Sequence, residues 1–247
     1  MKSRLFVVSI VLILVCSVSY AGTLYDEFLS GKLEDVWEIS KTDKANYEIK
    51  DGELILSTEA TEGNIYLWYG EAIPPGEPVT IEARINPGTS DNIGDGMVGF
   101  LNKKEDAGNL NNDGMNGIKK GGTYFWVDVS LQEMRIRREI AGNSHNQVTH
   151  NGFGEDNYYV FKIELTADEV TMWLDDWEVQ SGDRIDANFT ERAFHVTPDG
   201  ATDLHGPSMW TIDYIRLTGP TVPDADYSAV EPSGKAATTW GNIKGSY

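Results

Sequence analysis

The chain has 247 residues, with 20 Lys and Arg against 39 Asp and Glu, and one cysteine. Its formal net charge of −19 repels nucleic acid and anionic membranes and suits neutral or cationic partners. A single cysteine excludes a disulfide framework, and the length suits one large β domain or two small ones.

Residues 1–21 read as a signal peptide. Lys2 and Arg4 precede an apolar run from Leu5 to Val15, and Ser19-Tyr20-Ala21 offers small residues for cleavage before Gly22. The run is short for a span of about 20 residues, so no membrane span is expected. Lipid attachment at Cys16 is the lesser alternative, because Ile13-Leu14-Val15 lacks the small residues of a lipoprotein signal. The expectation is a secreted, cell-surface or periplasmic protein. Removing Lys2 and Arg4 with the signal takes the net charge to −21 and leaves no cysteine.

The mature chain reads as short strands. Thr23 to Phe28 opens it, and Val36-Trp37-Glu38-Ile39 follows. Tyr47 to Lys50 and Glu53 to Ser57 flank Asp51-Gly52, a strong hairpin signal. Asn64 to Tyr69 is aromatic and strand-like. In Val79 to Asn86 the residues Val79, Ile81, Ala83 and Ile85 alternate with Thr80, Glu82, Arg84 and Asn86. Gly94 to Leu101 is a Gly-rich strand, and Lys103 to Gly122 a long polar loop. Tyr124 to Leu131 alternates again, and Met134 to Ile140 follows it. Gly142 to Asn157 reads as a second polar loop. Tyr158 to Val179 gives the clearest β signal, a three-stranded meander turning at Asp175-Asp176. Arg184 to Thr197 is less periodic and reads as a short helix or an edge strand. Trp210 to Leu217 closes the domain. This pattern predicts an all-β sandwich over residues 22–219, with 220–247 as linker and short tail.

Four stretches resemble the concanavalin A-like lectin/glucanase superfamily, which includes laminin G-like modules. They are Tyr25-Asp26-Glu27-Phe28 with Trp37, Ile49 to Leu56, the Tyr158–Val179 meander, and Ile212 to Leu217. Together they bracket residues 24–218. The resemblance implies a jelly roll of two curved antiparallel sheets, whose concave face or loop rim binds glycans in many members. Function still has to come from the site.

Retaining glycosidases need two carboxylates about 5 Å apart. Glucanases on this fold carry them on one strand, as Glu-x-Asp-x-x-Glu or Glu-x-Asp-x-Glu. This chain contains no Glu-x-Asp pair, and Asp128 has no carboxylate two residues away. No catalytic residues are assigned on this reading. Lyases on similar jelly rolls use Arg, Gln, His and Tyr; Arg135, Arg137 and Tyr124 match those types without the motifs, and His145 and His150 read as loop residues.

For binding, strand alternation puts Glu82, Arg84, Tyr124, Trp126, Asp128, Arg135 and Arg137 on outward faces. If their strands share a sheet, they make one patch of aromatic platforms and planar hydrogen-bonding groups, as sugars require. The competing reading is a set of cross-strand ion pairs. Trp68, Tyr69, Trp173 and Trp177 read as packing. Asn109, Asn111 and Asp113, with Gly114, resemble the first half of a calcium loop, although Lys120 stands where its last ligand belongs. The expectation is therefore an exported, non-catalytic module for an extracellular glycan or glycoprotein, with calcium as its candidate ion and no nucleic-acid partner. The alternatives are a polysaccharide hydrolase or lyase on the same fold, and a structural or adhesion domain.

Overall fold

The structure is a computed structural model that describes residues 21–59, 63–70, 73–88, 94–101, 122–130, 133–140, 143–151, 157–184, 191–198 and 208–227. Over 122–151 and 191–198 it describes backbone pairing, together with the buried Phe125. In chain order the strands are β1 (Gly22–Asp26), β2 (Glu38–Lys41), β3 (Ala45–Lys50), β4 (Glu53–Thr58), β5 (Ile65–Gly70), β6 (Val79–Asn86), β7 (Gly94–Leu101) and β8 (Gly122–Ser130). There follow β9 (Glu133–Ile140), β10 (Asn143–Asn151), β11 (Tyr159–Leu165), β12 (Glu169–Leu174), β13 (Trp177–Asp183), β14 (Glu191–Pro198), β15 (Ser208–Gly219) and β16 (Ala225–Asp226).

Two sheets form. The nine-stranded sheet runs β13-β12-β11-β6-β15-β1-β16, with β4 paired to β15 and β3 to β4. The seven-stranded sheet runs β10-β9-β8-β7-β14-β5-β2. The ladders are antiparallel except β1 with β16. No helix occurs among the described residues, and none there is long and apolar enough to cross a membrane.

The alternation in β6 is realised without exception: Val79, Ile81, Ala83 and Ile85 are buried, and Thr80, Glu82, Arg84 and Asn86 are half-exposed. The meander adds Phe161, Ile163, Leu165, Val170, Met172 and Leu174 to the same core. The Asp51-Gly52 turn takes positive φ at both residues, 55° and 85°, as a two-residue hairpin requires. Across the sandwich, Phe161 meets Phe125 edge-on at 5.6 Å, and within its own sheet it stacks on Trp210 at 6.4 Å. Trp210 fills the space beside Gly96, where a Cβ would lie 1.7 Å from the indole Cζ2. Only glycine lets β7 approach that ring.

Asp26 anchors the first strand. It is buried, accepts from the Phe28 backbone N–H at 2.8 Å, and accepts from Trp37 Nε1–H at 2.7 Å. Phe28, itself fully buried, holds φ 55°, a left-handed conformation that costs a non-glycine residue on the order of 1 kcal/mol. The Asp26 bond holds it there. Burial raises the Asp26 carboxyl above 3.8, and the two donors offset that only in part.

Several elements differ from expectation. Gly142 to Asn157 is largely strand: β10 pairs with β9 at the sheet's edge, with an irregularity between His145 and Val148. Its polar composition hid it, because an edge strand needs no apolar alternation and polar side chains discourage further pairing. β14 is neither helix nor edge strand, for it pairs with β5 on one side and β7 on the other. The second strand lies two residues later than Val36–Ile39. Residues 220–227, expected as linker, pack along β1: Val222 is buried, and Tyr227 N–H donates to Tyr25 O at 2.8 Å.

Two outcomes follow. Gly96→Ala forces a methyl into the Trp210 ring and lowers unfolding free energy by roughly 1–3 kcal/mol, read from urea midpoints; an unchanged midpoint refutes the close contact. For Asp26, folding favours the protonated form, so its contribution is complete below 3.8 and lost as pH rises through its raised value. The stability of wild type minus that of Asp26→Asn is therefore largest in acid and falls with rising pH; a difference that grows with pH contradicts the assignment.

Candidate functional site

The residues expected as one patch divide between the sheets. Glu82 and Arg84 lie on β6 of the nine-stranded sheet. Tyr124, Trp126 and Asp128 lie on β8, and Arg135 and Arg137 on β9, of the seven-stranded sheet. The condition that joined them, a shared sheet, is not met. Alternation tells which face of a strand looks outward; it does not say of which sheet.

On the nine-stranded sheet the outer face forms a ladder. One row crosses it through register partners Glu178, Trp173, Lys162, Glu82, Arg216, Tyr25 and Asp226. Glu82 accepts from Tyr214 Oη and Arg216 Nη1, both at 3.1 Å. Arg216 also lies over the Tyr25 ring at 5.0 Å. Arg84 is bonded to Asp213, and its guanidinium lies 4.4 Å over the Tyr158 ring. Tyr158 in turn donates to Glu53, and Tyr25 donates to Glu27 at 2.6 Å. Burial, then the Glu82 charge and hydrogen bond, pushes the Tyr214 phenol up to about 12. Burial and hydrogen-bonded glutamates also raise Tyr25 and Tyr158. These phenols stay protonated and donating at neutral pH. Glu82 and Arg84 therefore belong to an intramolecular cross-strand network.

On the seven-stranded sheet the register brings the other five together. Trp126 lies opposite Arg137, Asp128 opposite Arg135, and Tyr124 opposite Glu139. The row continues from Trp126 to Met97, His195, Tyr66 and Ser40. A neighbouring row runs from Tyr124 to Gly99, Ala193, Trp68 and Glu38. Of their described side chains, Met97, Tyr66 and Trp68 lie outside the core cluster, which Val98, Leu67 and Tyr69 join from the other face. Tyr66 and Trp68 stack at 4.8 Å and are nonetheless buried.

Tyr66, Met97 and His195 were missed in the sequence. The signal was present in Ile65-Tyr66-Leu67-Trp68-Tyr69, an apolar run without alternation, which marks a strand buried on both faces. Of the tryptophans and tyrosine read as packing, Tyr69 is in the core against Trp37 at 5.8 Å. Trp68 packs on the opposite face, Trp173 stands in the outer ladder, and Trp177 is 43% exposed at a hairpin. His145 and His150 lie on β10. Asp175, Asp176 and Glu178 flank a turn in which Asp175 has φ 51° and Asp175 Oδ1 accepts from Val160 N–H at 2.7 Å.

Asn109, Asn111 and Asp113 lie outside the described residues. Among the described residues, no three His, Cys, Asp or Glu side chains gather as metal ligands.

No protein-family model matches the chain, and no curated protein matches it. Solved structures do. The carbohydrate recognition domain of Emp47p has 11% identity and a TM-score of 0.59, over 82% of this chain and 96% of that one. The catalytic domain of an endo-1,3-beta-glucanase (laminarinase) from Thermotoga petrophila RKU-1 has 15% identity and a TM-score of 0.58, over 79% and 96%. A beta-glucanase from Bacillus licheniformis has 12% identity and a TM-score of 0.53, over 79% and 97%. At such identities the likeness is one of fold, and this chain has the concanavalin A-like jelly-roll fold.

Proposed function

We propose that the protein is an exported, non-catalytic module that binds a neutral extracellular glycan on the outer face of the seven-stranded sheet. One observation carries this: the register sets Tyr124, Trp126 and Asp128 of β8 opposite Glu139, Arg137 and Arg135 of β9. Aromatic faces take the C–H side of a pyranose, and carboxylates and guanidinium groups take its hydroxyls in pairs. Neighbours of the same fold include a carbohydrate recognition domain and glucanases. The acidic surface favours an uncharged glycan over a uronate polymer. The Lys2–Ala21 segment supports export.

A second reading, a hydrolase, has one observation of its own. Asp95 on β7 and Asp128 on β8 each lie one residue beyond the Gly96–Val127 pair. Cross-strand neighbours stand roughly 4.5–5.5 Å apart at Cβ, near the separation a retaining mechanism uses. Against it, no strand of this chain carries a Glu-x-Asp pair.

A glycan array read together with reducing-end release separates the two. The binding reading expects Trp126→Ala or Arg137→Ala to weaken glycan binding at least tenfold, with the melting temperature held. Arg84→Gln, on the other sheet, leaves binding unchanged. Shortening of any polysaccharide, lost in Asp95→Asn, overturns the binding reading in favour of the hydrolase.

We also propose a calcium ion at Asn109, Asn111 and Asp113, on the acceptor spacing of that loop. Calcium then raises the melting temperature by mass action and a chelator lowers it, an effect absent in Asp113→Ala. A melting temperature insensitive to both removes the ion.

A further inference from the structure

On the central strands β11, β6 and β15 the outward charges are Lys162 and Glu164, Glu82 and Arg84, and Asp213 and Arg216. Cations and anions cancel there, on a chain of formal net charge −19. Arg84 and Arg216 keep 42% and 46% of their side chains exposed, so the face is open. Its charges are already paired: Lys162 with Glu164 at 2.6 Å, Arg216 with Glu82 at 3.1 Å, and Arg84 with Asp213. Covering this face leaves no charge unpaired, which is the most costly outcome of burying an ionic surface. Trp173, Tyr25 and Tyr214 stand among these groups, and Trp, Tyr and Arg are the residue types that dominate protein interfaces.

From β13 to β1 the central row reads Glu178, Trp173, Lys162, Glu82, Arg216 and Tyr25. Taken from its two ends inward, the row complements itself. Lys162 matches Glu82, Trp173 matches the Arg216 guanidinium, and Glu178 falls on the uncharged Tyr25. A two-fold axis between two copies, parallel to the strands and over the β11–β6 seam, makes those matches between chains. The flanking rows agree. Across the same axis Glu164 meets Thr80 and Thr171 meets Thr218 on one side, and Val160 meets Arg84 on the other. An axis moved onto β6 sets Glu82 against Glu82 and Lys162 against Arg216, and one moved onto β11 sets Lys162 against Lys162. Like charges exclude both, so the pattern selects one register.

We infer that two copies of this chain associate through this face, β11 of each against β6 of the other, with Lys162 bonded to the partner's Glu82. Both groups have room for the added bond. An ammonium has three donors, and Lys162 spends one on Glu164; a carboxylate has about four acceptor sites, and Glu82 uses two, on Tyr214 and Arg216. Stacked sheets about 10 Å apart let the two side chains meet. The seven-stranded sheets then lie on opposite sides of the pair, and their outer faces stay open in both copies. The inference does not depend on what those faces bind.

The test is sedimentation equilibrium of the chain without residues 1–21, whose wild type sediments at about twice the mass of one chain. Lys162→Glu and Glu82→Lys each place like charges against each other twice across the axis, and each alone weakens association at least tenfold. Mixed in equal amounts, the two variants form a dimer again, because every contact between positions 162 and 82 then joins opposite charges. Damage within one chain is not repaired by another, so recovery on mixing reads the contact between chains. Val160→Arg keeps every native ion pair and brings a second cation to the partner's Arg84; it dissociates the dimer with the melting temperature held. A wild type that stays monomeric overturns the inference. So does a dimer that survives both Lys162→Glu and Val160→Arg, or a pair of folded charge variants that stay monomeric when mixed.

Discussion

Trp210 occupies space that a side chain at position 96 would otherwise claim, and this contact ties one sheet to the other. The ring comes from β15, which lies between β6, β4 and β1 in the nine-stranded sheet. The glycine comes from β7 of the seven-stranded sheet. Around it, Phe161 and Phe125 close the gap edge-on. Fully burying such aromatics contributes on the order of 2–3 kcal/mol each, and face-to-face sheets then settle about 10 Å apart. The indole N–H of Trp210 has no hydrogen-bond partner among the described residues, a cost of about 1–3 kcal/mol. The burial of the ring exceeds that cost, so the contact persists with an imperfect polar edge.

The outward face of the nine-stranded sheet is largely satisfied by its own side chains. On the nine-stranded sheet, charges alternate in sign along a row, and Glu82 and Arg216 pair within it. Exposed pairs of this kind contribute only about 0–1 kcal/mol each. Their larger effect is to engage the donors and acceptors a ligand would need. Arg84 illustrates this, with Asp213 in its fork and Tyr158 beneath it. The seven-stranded sheet arranges its groups differently. Arg137 stands opposite Trp126 in the β8–β9 ladder and at the β10 irregularity on the other side.

Much of the fold was legible because burial imposes a period. In β6, the meander and β15, one face looks inward and the residues say so. Asp51-Gly52 was legible for a different reason, since few residue pairs take two positive φ values. β10 and β14 were not legible. In β10, Asn143 to Asn151 offers Val148 as its one aliphatic residue, and its strand character comes from the hydrogen bonds β9 extends to it. In β14, Glu191-Arg192-Ala193-Phe194-His195 carries too weak an alternation to announce a central strand. Both are cases of tertiary pairing overriding local preference.

The candidate site was half legible, and the reason is geometric. A period of two assigns each side chain to a face, which grouped Tyr124 with Trp126 and Asp128, and Arg135 with Arg137, strand by strand. It carries no information on strand order, so it could not separate β6 from β8. Strand order depends on contacts far apart in the chain: β6 pairs with β11 and β15, while β8 pairs with β7 and β9. For the same reason, a search for two carboxylates along one strand sees only half the ways of making an acid pair. The other half lies across ladders, where Asp95 and Asp128 each fall one residue beyond the Gly96–Val127 pair although 33 positions apart in the chain. Whether a jelly roll binds or cleaves then depends on what stands beside such a pair. A guanidinium holds both acids ionised, whereas an apolar neighbour raises one into a proton donor. In the β8–β9 register Arg135 is the residue opposite Asp128.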